Sequence, residues 1–185
     1  MRRLKVLAAV LFVASCQAPS GDVGCPRDAE VVEQSEAEMT EIYGLVIADL
    51  VLQNSSFGPQ PEFPKLFLVD GPVESAGEQP GLDKKVGTFG SRLQQELSAA
   101  LDQAGLPLVE FVSSREAVIQ DLETMPRVRE GGGLVTVSPL TRGDHCVQVS
   151  AEFYVDGLAS TGRVYQLAVV EGGWEIVESS MTFVS

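Results

Sequence analysis

The tripeptide Asp144-His145-Cys146 gathers an acid, a base and a nucleophile, and it contains the single histidine of the chain. Adjacent residues of an extended chain point to opposite faces, so His145 and Cys146 are poorly placed to act on one another as base and nucleophile. The same spacing argues against zinc, which needs several His or Cys ligands at workable intervals. Gly131-Gly132-Gly133 has the composition of a phosphate cradle, yet it leads into a strand and no Lys-Ser or Lys-Thr follows. Among the carboxylates, Glu38 with Glu41 and Glu175 with Glu178 are spaced as solvated faces. Asp49 differs, because it borders an apolar stripe beside Leu50 and would line a cavity if its helix covered a concave sheet. There is no Gly-x-Ser-x-Gly elbow, His-Glu-x-x-His pair or dinucleotide fingerprint. The residue types therefore predict no catalytic set, no metal and no cofactor, with Asp49 as the one pocket acid.

These residues hang on elements that the periodicity makes visible. Ser35 and Glu38 fit a capping box, and Met39, Ile42, Tyr43, Val46, Ile47 and Leu50 then recur at helical spacing. Three prolines between residues 54 and 64 end that helix. Leu66, Phe67, Leu68 and Val69 form a continuous apolar run, the pattern of a strand buried on both faces. Residues 71–87 are rich in Gly, Pro, Glu and Lys and carry no period. Ser91 and Gln94 open a second helix with Leu93, Leu97 and Leu101 on its stripe and Gly105 at its stop. After strand-like residues 106–112, Ser113 and Glu116 predict a third, short helix with Val118, Ile119, Leu122 and Met125 inward, ended by Pro126.

The remainder reads as a four-strand antiparallel meander. Residues 134–138 are rich in Val and Thr. Val147, Val149, Ala151, Phe153 and Val155 then alternate with Gln148, Ser150, Glu152 and Tyr154, which predicts one core face and one wet or lightly covered face. Residues 163–170 and 174–177 follow, joined through Glu171-Gly172-Gly173. Trp174 and Ile176 share one parity and Met181 and Phe183 the other, so a bulge or bend near Ser179-Ser180 is expected. Arg142-Gly143-Asp144, which resembles the adhesion tripeptide of integrin ligands, consists of ordinary turn residues between the first two of these strands.

The chain has 185 residues and a formal charge of −13. Arg2, Arg3 and Lys5 precede an apolar run too short for the roughly 20 residues a spanning helix needs, and small residues follow, as in a signal peptide. Val13-Ala14-Ser15-Cys16 resembles the lipobox of bacterial lipoproteins. That resemblance implies cleavage before Cys16, a diacylglycerol-modified and palmitate-bearing Cys16 as mature N-terminus, and attachment to the cell envelope facing the periplasm. Gln17 in place of Asp favours the outer membrane if the source is Gram-negative. Losing three cations and no anion would take −13 to −16, which argues against nucleic acid and anionic lipid surfaces as partners. Cys25 and Cys146 would then remain either as a disulfide, worth about 4 to 5 kcal/mol by loop closure, or as two free thiols.

Three domains of use follow: residues 1–15 as signal, 16–34 as lipidated tether, and 35–185 as one α+β domain. Its predicted architecture has two layers, with three helices on one face of a curved, mainly antiparallel sheet that ends in the meander. A long first helix and a late Trp resemble, in element order alone, the nuclear transport factor 2-like and cystatin-like cone folds. The functional expectation is a non-catalytic envelope lipoprotein that binds a protein or small-ligand partner. The alternative, implied by the cone-fold resemblance, is a hydrolase or isomerase using Asp49.

Overall fold

The computed structural model describes residues 30–31, 34–53, 63–74, 76–77, 84–122, 125–143, 146–156 and 159–184. Strand β1 (Glu30–Val31) precedes helix α1 (Glu36–Leu52), whose Ser35 hydroxyl accepts from the Glu38 N–H while the Glu38 carboxylate accepts from the Ser35 N–H. The capping box therefore satisfies two of the free N–H groups of the first turn. Ile42, Tyr43, Val46, Ile47, Leu50 and Val51 form its buried stripe. Next come β2 (Lys65–Val69), α2 (Ser91–Gln103) and β3 (Leu108–Val112), a βαβ unit in which β2 and β3 lie parallel. The run from Leu66 to Val69 is buried throughout, because β2 also pairs in parallel with β6 on its other side. Helix α2 starts from Gly90 rather than from a side-chain cap, and Gly105, at φ 87°, follows its end in the left-handed region glycine tolerates.

Among the described residues two α-helices, not three, pack on this sheet. Where a helix was expected from Ser113 onward, the chain makes a single 3-10 turn (Arg115–Ala117) and then a hairpin of β4 (Ile119–Leu122) and β5 (Met125–Val128). Ser114, the residue at the N-cap, makes no side-chain cap. β-Branched Val118 and Ile119 favour extended backbone, and Pro126 limits any helix to lengths that are marginal alone. The hairpin sends Val118 and Val128 together into a second core beside Phe67, Val69, Leu134 and Tyr154.

The meander forms as β6 (Gly133–Val137), β8 (Val147–Asp156), β9 (Ala159–Val170) and β10 (Gly173–Val184), with the short β7 (Thr141–Arg142) between the first two. β1 pairs with β7, so the sheet starts upstream of α1. The tight turn from β9 to β10 places Glu171 at φ 47° and Gly172 at φ 98°, the positive pair a two-residue hairpin requires. Two register shifts, at Ile176/Glu178 and Met181/Phe183, replace the one bend expected near Ser179. The first moves Met181 onto the face of Trp174. The second sends Phe183 to the opposite face, where it packs at the bare backbone of Gly162.

Val147, Val149, Ala151 and Phe153 meet α1 and α2 in the main core, with Tyr165, Leu167 and Trp174. The other face of β8, expected to be wet or lightly covered, is covered: Ser150, Glu152 and Tyr154 are buried and Gln148 is half-buried. Its cover comes from residues 71–74 and 76–77, held by the Val73 N–H on the Val137 carbonyl (2.8 Å), and from the 3-10 turn. Gly77, at φ 72°, lies so close to Ala151 that a Cβ would stand 2.6 Å from the backbone oxygen.

Candidate functional site

Three segments distant in sequence meet around a cleft of about 320 Å³, lined by Glu74, Val86, Ser138, Pro139, Thr141, Gln148, Val149 and Ser150. Its floor is the corner at which β6 gives way to β7. There the Ser138 N–H donates to the Ser150 carbonyl, the Ser150 N–H donates to Ser138 Oγ, and Ser138 Oγ donates to the Pro139 carbonyl. The Tyr43 hydroxyl fixes this corner from beneath by donating to the Ser138 carbonyl at 3.1 Å. Burial pushes the Tyr43 pKa up, so that hydroxyl stays protonated.

The cleft's wall is a flap built by a bridge between Val73 and Lys85, with the Glu74 N–H on the Lys84 carbonyl and the Val86 N–H on the Pro72 carbonyl. Lys85 ties the flap to Asp70 at 2.6 Å, and Lys84 reaches Glu74 at 3.0 Å. The groups turned to a ligand are then one exposed carboxylate, the Thr141 hydroxyl, the Gln148 amide and the apolar surfaces of Val86, Pro139 and Val149. Such a lining can orient a small polar or cationic group by hydrogen bonds. It pairs no nucleophile with a base.

Asp49 lies elsewhere. It is half-buried on α1, and its charge acts on the Tyr165 hydroxyl, which is fully buried in β9. Burial first, and the Asp49 carboxylate second, push the Tyr165 pKa up. Arg163, two residues earlier, donates to Ser179 Oγ at 3.2 Å. Cys146 is buried and disulfide-bonded, and its partner lies outside the described residues. Cys16 and Cys25, the other two cysteines, fall there too, as do Asp144 and His145. Glu41, read as a solvated acid, accepts from the Trp174 N–H at 2.9 Å and so joins α1 to β10. Gly132 and Gly133 are packing devices, since a Cβ there would meet the rings of Phe67 and Phe153 within 3 Å.

Two further polar clusters lie on the second face. Glu152 is buried on β8, where its Oε1 accepts from Arg115 at 3.2 Å and from the Ser160 hydroxyl at 2.8 Å. The Arg115 guanidinium also lies 4.3 Å from the Tyr154 ring centre. At the end of β2, Lys65 bridges Glu110 and Glu130, both at 2.9 Å, and Arg129 adds a second bond to Glu110. Lys65 and Arg129 both sit over the Phe67 ring. The hydrogen bond from Lys65, against some desolvation, holds the Glu110 carboxyl below its ordinary 4.5. That contribution to stability is complete above the ordinary value and is lost as pH falls through the lower folded value. Melting temperatures recorded down an acid series should therefore fall less steeply for Glu110→Gln than for the parent. Parallel curves would mean that this pair does not couple folding to protons.

Among the described residues no group of three or more His, Cys, Asp or Glu could hold a metal, and no helix is long and apolar enough to cross a membrane. No protein-family model, curated protein or solved structure matches the chain.

Proposed function

We propose that this chain is an exported, lipid-anchored binding domain, tethered through Cys16 and non-catalytic, that captures a protein or small-ligand partner in the cell envelope. The observation that carries the reading is the disulfide at Cys146, because such bonds persist in oxidising compartments outside the cytoplasm. It agrees with the signal and lipobox pattern of residues 1–16. The cleft supports binding over catalysis, since its Ser138 hydroxyl is committed to backbone partners and its remaining polar groups are of the kind that orient a ligand. Asp49 acts on Tyr165 and does not line this cleft, so the cleft lends no support to the hydrolase or isomerase alternative.

The test begins with the full chain expressed in a bacterium that processes lipoproteins. The expected product is membrane-bound, with a diacylated Cys16 at its N-terminus by mass spectrometry, and Cys16→Ala releases it from the membrane fraction. Crosslinking from the cleft, through a photoreactive residue at Thr141 or Gln148, should trap a stoichiometric envelope component. A parent protein recovered unlipidated in the cytoplasm with reduced thiols would overturn the proposal.

A further inference from the structure

We infer that the outer edge of β10 is a docking strand for an extended, cationic segment of a protein partner, added to the sheet as a further antiparallel or parallel strand. The inference rests on the binding reading above and names where and what the domain binds.

β10 runs for 12 residues and, among the described residues, pairs only with β9. Its other edge presents a row of backbone N–H and C=O groups, of which the Trp174 N–H is already taken by Glu41. Edge strands are ordinarily guarded by Lys, Pro or inward charges. β10 contains no Lys, Arg or Pro, and exposes Val177 (46%), Met181 (54%) and Val184 (51%). The bulges do not disable the edge. Between them, Glu178 to Met181 keep regular partners from Gln166 to Arg163.

The first bulge also decides the chemistry. Glu175 and Glu178 are three apart in sequence, yet they stand opposite Ala168 and Gln166 and so share one face on successive same-face rungs. Both are exposed, and Glu171 at the adjoining turn is a third exposed acid. Trp174, Ile176, Ser179 and Met181 occupy the opposite face. A strand laid along this edge would therefore meet carboxylates on one face and apolar groups on the other, in period two. The complement is an extended segment in which Lys or Arg alternates with apolar residues. A second copy of β10 would bring its own Glu175 and Glu178 to the edge of a chain already at −13, so self-pairing is disfavoured.

The experiment uses the full mature chain and two fluorescent peptides, one alternating Lys with Val and one alternating Glu with Val, followed by anisotropy at moderate salt. The Lys-Val peptide should bind at least about tenfold more tightly, the affinity should fall with salt, and amide exchange should slow in β10. Glu175→Lys with Glu178→Lys, both at exposed positions, should reverse the preference without lowering the melting temperature. Of Ser179→Pro and Ser180→Pro, the one whose N–H points outward should fold normally and lose binding. Equal binding of both peptides, unchanged binding by the charge-reversed variant, dimerisation that displaces the peptide, or adsorption to phosphatidylcholine vesicles through these residues would each overturn the inference. If β10 fails while the cleft still crosslinks an envelope component, only this inference falls. If neither engages anything, the binding reading falls with it.

Discussion

Arg115→Met should lower the free energy of unfolding by about 3 to 5 kcal/mol, read by denaturant titration of Trp174 fluorescence. Glu152 is 1% exposed and Arg115 only 14%, so deleting the cation leaves a carboxylate with no solvent to turn to. Among the described residues its remaining donor is Ser160, and its Oε2, like Thr136 Oγ1 directly across the β6–β8 ladder, has no hydrogen-bond partner there. Since a domain of this size has roughly 5 to 15 kcal/mol in total, the single variant should sit close to unfolding. The double variant Arg115→Met with Glu152→Leu should recover most of the loss, because it removes the buried charge along with its partner. A single-variant loss under about 1 kcal/mol would show that Glu152 does not need Arg115 for its charge. The pair also fastens the 3-10 turn to β8, so amide exchange in Arg115–Ala117 should accelerate in step with the loss.

Reduction of the native protein should cost about 2 to 5 kcal/mol, and Cys146→Ala should cost the same. On the lipoprotein reading Cys16 carries acyl chains, which leaves Cys25 as the partner sulfur. Cys25→Ala should then reproduce the Cys146→Ala loss, and the double variant should add nothing to it. Alkylation of unreduced protein followed by intact-mass measurement gives the direct readout, with no free thiol expected. If Cys16→Ala, rather than Cys25→Ala, exposes a reactive Cys146, one sulfur cannot hold both lipid and disulfide, and the anchoring proposal fails. The placement of β1 fits the Cys25 pairing: Glu30 sits opposite Arg142, a few residues before Cys146 in the same corner of the sheet.

Much of the fold was legible because several local signals agreed with its final packing. The Ser35–Glu38 box, the stripe from Ile42 to Leu50, Gly105 and the alternation from Val147 to Val155 each state a period or a cap that burial later uses. The third helix failed where two readings compete, since Val118, Ile119 and Leu122 suit either a short helix or a hairpin and tertiary demand chose the hairpin. The alternation in β8 allows an outer face that is wet or lightly covered, and it does not say which. Period two says that Ser150, Glu152 and Tyr154 point together, but what covers them is the aperiodic segment after β2 and a 3-10 turn, neither of which announces its location. The cleft was unreadable for the same cause. Glu74, Thr141 and Gln148 belong to no motif and meet only because the flap hangs on β6.

The bond from the Trp174 N–H to Glu41 joins positions 133 residues apart, and it has a temporal meaning. Helix α1 buries its stripe against Tyr165, Leu167 and Trp174, all supplied by the last two strands. A chain emerging N-terminus first could dock α1 on α2, but the part of the stripe that meets these two strands would stay uncovered until nearly all of the sequence had appeared. Closure of so long a loop places the domain among slow, late-committing folders. If the chain is exported as proposed, that order is useful, because a core that cannot close early leaves the chain open to being threaded across a membrane.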